Sequence, residues 1–231
     1  MSVLELRELT REYTRGKQSF NAVNCVDLSV KSGDFISIIG RSGSGKSTLL
    51  NMSAGLIKPS SGNVFFDGTD IHKFNDREIS FFRNEKIGFV PQGQSLLANY
   101  TVLENVCIPW FLSKREGNPK ERALALLEKT GISHLADSYP KELSGGEMRR
   151  AAIVRSLINN PALLIADEPT GDLDAETTAQ IMQVLADIAQ EGKAVLIVTH
   201  ELDTIAYGNK TYKMDNGRLS LHSQGKTHQT Y

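Results

Sequence analysis

The sequence predicts an α/β domain with a buried sheet and a helical insertion. Three observations predict it. Phe35–Ile39, Leu163–Ala166 and Ala194–Val198 are short and almost wholly apolar, as strands covered on both faces are. Segments with helical spacing of apolar residues follow them. A Gly/Ser-rich turn joins the first of these strands to a helix start.

In chain order, Leu4 and Leu6 alternate with Glu5 and Arg7, and Val26, Leu28 and Val30 with Asp27 and Ser29. Both are half-buried strands by their period of two. Lys31-Ser32-Gly33-Asp34 turns the chain into Phe35–Ile39. Lys46-Ser47-Thr48-Leu49-Leu50 opens a helix. Val64–Phe66 and Ile87–Val90 are short strands, separated by the turn Asp67-Gly68 and a charged stretch. Residues 95–160 are mostly helical, with Ala123, Leu126, Leu127 and Thr130 sharing a face at i, i+3, i+4 and i+7. After the strand Leu163–Ala166, Ile181, Val184, Leu185 and Ile188 form another helical stripe. Gly217 marks a last hairpin turn, and a polar tail follows from about residue 222. One domain is expected, with its core in about 1–93 and 142–221 and a helical subdomain in about 94–141.

Composition excludes several classes. Lys plus Arg number 26 and Asp plus Glu 27, a net charge of −1, so the electrostatic footprint of a dedicated nucleic-acid binder is missing and no nucleic-acid partner is expected. No apolar run approaches the ~18–20 residues of a membrane span. The first residues have no basic segment leading into an apolar one, so no secretory signal is expected. Cys25 and Cys107 are far apart, without metal or redox spacing, and both read as buried thiols in a reducing, cytosolic setting.

Gly40-Arg41-Ser42-Gly43-Ser44-Gly45-Lys46-Ser47 fits G-x-x-x-x-G-K-[ST]. Its glycines let main-chain N–H groups turn inward around phosphate oxygens, and the following helix adds the positive end of its dipole. Lys46 is placed to reach the β- and γ-phosphates, and the Ser47 hydroxyl to bind Mg²⁺. A flexible Gly/Ser turn is the alternative, but the loop sits between a buried strand and a helix, as a phosphate loop requires. Three more strands end in residues suited to the same site: Leu163–Ala166 in Asp167-Glu168, Ala194–Thr199 in His200, and Ile87–Val90 in Pro91-Gln92. Ligands of open α/β sheets sit at carboxyl ends of strands. Asp167 then holds Mg²⁺, directly or through water, and Glu168 polarises the attacking water. His200 is a γ-phosphate sensor or else an N-cap or surface residue. Gln92 taken alone is a loop residue.

Leu143-Ser144-Gly145-Gly146-Glu147 precedes a helix bearing Ala151, Val154 and Ile158. It is a second helix N-terminus able to hold an anion, or an ordinary helix cap. One ATP already has its phosphates in the first loop. The second nest therefore finds a ligand most economically in a two-fold dimer, over the partner's nucleotide.

With these segments in this order, the chain resembles the ATP-binding subunit of an ABC transporter from about Val3 to Leu221. Gly40–Ser47 matches its Walker A motif, Leu163–Asp167 Walker B, Leu143–Glu147 the signature, and Thr170-Gly171-Asp172-Leu173-Asp174 the D-loop. The resemblance implies a P-loop NTPase core with an antiparallel β subdomain and a helical subdomain between Gln92 and the signature. It implies that Gly40–Ser47 and Thr48 bind ATP, that Tyr13 stacks on adenine, and that Ser144, Gly145, Gly146, Glu147 and Asp174 contribute to nucleotide binding. Tyr13 by itself is equally a strand-face residue. Glu168, His200, Gln92 and Lys46 become the catalytic set, and Ser47, Gln92 and Asp167 the Mg²⁺ set. Glu147 stands where Gln is usual, a carboxylate that suits a helix N-terminus but repels phosphate. Asp172 and Gly93 depart from the usual choices too.

Glu168–Asp174 and the compact size are similar to the LolD/MacB/FtsE-like group (lipoprotein release, macrolide export and cell division). The resemblance implies an ATP-dependent homodimer, peripheral on the inner face of the cell membrane, that drives a permease of the MacB/FtsX type. Lipoprotein, a peptide antibiotic or a hydrophobic compound is the implied cargo, and force transmission to cell-wall or division machinery without transport is the alternative. Val102, Val106, Ile108, Trp110 and Phe111 fall where the family has its coupling groove, or pack within the helical insertion.

Overall fold

A computed structural model describes residues 2–113 and 115–224. In chain order the elements are β1 (Ser2–Arg15), β2 (Gln18–Lys31), β3 (Phe35–Ile39), α1 (Lys46–Ser53), β4 (Ser61–Phe66), β5 (Thr69–Asp70), α2 (Asp76–Lys86), β6 (Ile87–Val90), α3 (Val102–Leu112), α4 (Lys120–Lys129), α5 (Gly145–Leu157), β7 (Leu163–Asp167), α6 (Ala175–Gln190), β8 (Ala194–Thr199), β9 (Lys210–Asp215) and β10 (Arg218–Gln224).

The strands form two sheets. One has six strands in the order β10-β9-β3-β8-β7-β6, parallel throughout except for β10. The other is antiparallel, in the order β2-β1-β4-β5. Every residue of β3, β7 and β8 is buried, which explains their continuous apolar runs. A first core joins Leu4, Leu6 and Val64 of the antiparallel sheet to Ile36, Ile165 and Leu196 of the parallel one, with Leu49 and Leu50 of α1 among them. A second, on the other face of the parallel sheet, holds Ile153, Ile181, Leu185, Val195 and Ile197. A third unites α3, α4 and α5 through Val106, Leu127, Ala151 and Val154. Two helices therefore fix the later geometry: α1 lies between the two sheets, and α5 is shared by the parallel sheet and the helical layer.

The antiparallel sheet departs from the short strands expected at the N-terminus. β1 and β2 form one long hairpin whose register shifts between Ser2 and Leu4, between Leu6 and Leu9, between Leu9 and Arg11 and again between Arg11 and Glu12. Glu8 and Cys25, both at positive φ (48° and 51°), are the irregular residues. Each is held by a bond from the opposite strand's neighbourhood: the Glu8 N–H donates to Asp27 and the Cys25 N–H to Thr10 Oγ1. The bulge turns Cys25 out, so it is exposed, contrary to expectation, whereas Cys107 is buried as expected.

The charged stretch before β6 is the helix α2, which has no fully buried residue and starts at a capping box of Asn75 and Glu78. Residues 222–224, expected in the polar tail, belong to β10; the rest of that tail lies outside the described residues. Val102 and Val106 are buried in the helical layer, whereas Phe111 is 64% exposed.

Candidate active site

The Gly40–Ser47 loop links β3 to α1 and is wedged between sheets. Gly43 and Gly45 have φ of 78° and 106°, a region in which a side chain is strained. A Cβ on Gly45 would also lie 2.0 Å from the Ala22 carbonyl oxygen, and one on Gly40 2.4 Å from that of Met214. The loop thus has no room to move back. Gly45→Ala is expected to lower ATP affinity at least tenfold, since either the loop or β2 must shift by more than an ångström; isothermal titration with MgATP measures it, and unchanged affinity would contradict the loop's assignment.

Lys46, 6% exposed, donates from Nζ to the carbonyls of Gly40 (2.8 Å) and Arg41 (3.0 Å). That leaves one of its three protons unassigned. Ser44, also buried, has a hydroxyl with no partner among the described residues. Both are features of a loop built to receive acceptor oxygens.

Ser47 Oγ donates to Asp167 Oδ1 at 3.2 Å, joining α1 to the end of β7. Burial pushes the Asp167 carboxyl above its ordinary range, the Ser47 bond works against this, and the charge of Glu168 adds to it. A hydroxyl and a buried carboxylate, both oxygen donors, fit Mg²⁺, which takes one or two protein ligands and completes its shell with phosphates and water. No cluster of three His, Cys, Asp or Glu capable of metal binding occurs among the described residues. Because the folded-state carboxyl titrates above its unfolded value, ionised Asp167 weakens the fold, and the loss grows as pH rises above the unfolded pKa. Asp167→Asn is therefore expected to melt higher than the parent at neutral pH without nucleotide, while losing Mg²⁺-dependent turnover. A lower melting temperature would contradict this.

Glu168 follows at φ 48°, its main-chain N–H bonded to the Val198 carbonyl at 3.0 Å. A non-glycine residue held there is strained, as residues at active sites often are. The turn aims the carboxylate between two other strand ends. Gln92 Nε2, after β6, donates to Oε2 at 2.7 Å; His200 Nδ1, after β8, lies 3.3 Å from Oε1. The buried Thr170 hydroxyl donates to Glu201 at 2.7 Å, tying the segment after Glu168 to the one after His200. Its place in the D-loop match does not foretell this bond.

Tyr13, Phe20, Ser42, Gly43, Gly45, Lys46, Ser47, Thr48, Gln92, Glu168 and His200 line one open cleft of about 630 Å³. Phe20 was missed. It faces Tyr13 across the hairpin, with ring centroids 6.2 Å apart. The Arg11 guanidinium stands 4.8 Å from the Tyr13 centroid. The cleft thus has a wall of two aromatics beside the loop, suited to a flat base.

Ser144–Glu147 and Asp174 are not among the cleft's lining residues. Ser144 donates from N and Oγ to Glu147 Oε2, both at 2.8 Å, a capping box on α5 that holds the Glu147 carboxyl below its ordinary range. The carboxylate is thus taken up by its own helix cap. Asp174 is the N-cap of α6, its carboxylate accepting from the Thr177 N–H and hydroxyl. The two turns touch: a Cβ on Gly146 would lie 2.4 Å from Thr177 Cγ2.

The chain's likeness to known proteins agrees with this geometry. A family model described as "ABC transporter" matches residues 23–171. The lipoprotein-releasing system ATP-binding protein LolD of Buchnera aphidicola subsp. Schizaphis graminum is 40% identical over 219 residues, 94% of this chain and 96% of the relative. LolD of Saccharophagus degradans is 39% identical, over 96% and 98%. Among solved structures, the dimeric structure of MJ0796, a bacterial ABC transporter cassette, has a TM-score of 0.90 at 36% identity, covering 97% of this chain and 99% of that one. A dimeric post-hydrolysis state of the same cassette, bound to ADP and Pi, matches equally.

Proposed function

The chain belongs to the ABC transporter family as an ATPase cassette, and we propose that two copies close over two MgATP and drive a membrane permease that releases lipoprotein. The carrying observation is Glu168, held at a strand end between Gln92 and His200 and beside the Ser47–Asp167 pair. Mg²⁺, bound through Ser47 and Asp167, supplies charge neutralisation of the phosphates. The loop N–H groups and Lys46 orient the terminal phosphate. Glu168 accepts the proton of the attacking water at one carboxylate oxygen, while Gln92 keeps the carboxylate in place. His200 faces the position of the departing phosphate. Tyr13 and Phe20 receive the base.

A dimer is supported by the second nest, which lies outside its own chain's cleft, and by the dimeric relatives. Nucleotide arriving from the partner must displace Glu147 from Ser144, so Glu147 competes with the ligand rather than binding it. No helix among the described residues is long and apolar enough to cross a membrane, so the proposed work at the inner face of the membrane passes through a partner. A groove of about 270 Å³, lined by Leu56, Arg83, Asn84, Phe89 and Pro109 among others, offers the docking place. Leu56, Phe81, Phe111 and Leu112 are large apolar residues left exposed on the segments that form it.

Lipoprotein as the cargo rests on the likeness to LolD. The test is reconstitution with the permease in proteoliposomes carrying a fluorescent lipoprotein. ATP-dependent release into the aqueous phase is expected. ATP turnover by the intact complex without release of lipoprotein would overturn the cargo assignment and favour force transmission or another ligand.

A further inference from the structure

We propose that Arg149 is a positioning residue: it locks the loop carrying Gln92 to the helix that starts at the Ser144 nest, so that the contact between Gln92 and Glu168 follows the position of that helix. Arg149 lies in the second turn of α5 and is 9% exposed. Its Nη1 donates to the carbonyl of Pro91 at 3.2 Å, the residue before Gln92. No carboxylate stands within ion-pair distance of it among the described residues; the acid whose charge acts on it is Asp172. Arg149, Asp172, Gly93 and Gln94 line one cavity of about 180 Å³, and Asp172 is held at φ 65°. Further along α5, Arg155 donates to the Ser95 carbonyl (2.7 Å) and hydroxyl (2.9 Å). The helix thus grips the loop at Pro91 and at Ser95, with Gln92 between.

A buried guanidinium without a bound carboxylate is costly, and an apolar side chain of similar volume would fill the space more favourably. What arginine adds is a hold on main-chain oxygen. Any displacement of α5, such as the partner's nucleotide would impose at Ser144, is transmitted to Pro91 and thence to Gln92. Asp172, in the turn that follows Glu168, attracts the same guanidinium and keeps the third segment in step. The proposal rests on the reading of Gln92 and Glu168 as a catalytic pair.

The test is steady-state ATP hydrolysis by the full chain. Arg149→Gln should lower kcat about tenfold with KM for ATP changed less than about twofold, the scale of coupling between contacting residues. Asp172→Asn, at an exposed position, should lower kcat in the same direction by about threefold, and carries the test should Arg149→Gln fail to fold. Both are then repeated in a Gln92→Ala background, where neither should cause further loss, because the group they act through is gone. A full additional loss there overturns the proposal, since a merely structural role does not depend on Gln92. Gln92→Ala at the parent rate would instead remove the catalytic reading of Gln92 and the proposal with it.

Discussion

Glu168→Gln is expected to lower ATP turnover by about 10²–10⁴-fold, the contribution of a positioned general base, while MgATP affinity stays within twofold. The substitution keeps the side chain's volume. Its amide oxygen can still accept from Gln92 Nε2, which now meets Oε2 at 2.7 Å, so the local packing survives. The loop, Lys46, and the Ser47–Asp167 pair, which hold the phosphates and metal in the proposed mechanism, are untouched. What is lost is a group able to take a proton from water. With hydrolysis blocked, the ATP-closed dimer should accumulate and run as a dimer on size exclusion with MgATP and as a monomer with MgADP. Turnover at the parent rate would remove Glu168 as the base. Lost ATP affinity would show instead that the carboxylate mainly holds the nucleotide.

The α/β fold and the phosphate loop were legible because each rests on a local signal. Buried parallel strands must be apolar on both faces, and β3, β7 and β8 show it. The loop must have glycine where φ is positive and where Ala22 and Met214 press against it. The antiparallel hairpin was harder, because its bulges break the period of two. The buried residues run Val3, Leu4, Leu6, Leu9 on one strand and Val23, Val26, Leu28, Val30 on the other. The three-residue steps mark Glu8 and Cys25 as extra residues, and so predict that Cys25 faces out; the expectation of a buried thiol ignored them. Phe20 was illegible for the same reason, since its partnership with Tyr13 depends on register far beyond the readable alternation. α2 was missed because it buries no residue fully, although Asn75-x-x-Glu78 announces its start.

Glu147 supports two readings at once. As a departure from the usual signature it suggests repulsion of phosphate. As a Ser-x-x-Glu capping box it is the ordinary partner of a helix N-terminus, and the bonds to Ser144 follow that pattern. Arg149 gave no signal, because nothing local distinguishes a buried arginine from an exposed one in a helix that also carries Arg150 and Arg155. Its burial is decided by the sheet and loop that α5 packs against.

Ser144→Arg is expected to lower hydrolysis about 10²-fold or more, the cost of losing a donor that stabilises the reacting phosphate, with MgATP binding to the isolated chain intact. The reason is positional. Ser144 is absent from the cleft that contains Lys46 and Glu168, so it acts on nucleotide only when a second chain presents it. Loss of the cap itself weakens α5 by about 0.5–2 kcal/mol, which a melting curve measures separately. Mixing distinguishes the two arrangements. Ser144→Arg and Glu168→Gln chains are each inactive alone, but a mixed dimer has one site with both native groups and one with neither. Pairing should therefore restore measurable activity, at most about a quarter of the parent rate, if the sites are shared across a two-fold axis. If Ser144 served its own chain's nucleotide, every site in the mixture would carry a lesion, and no activity would return.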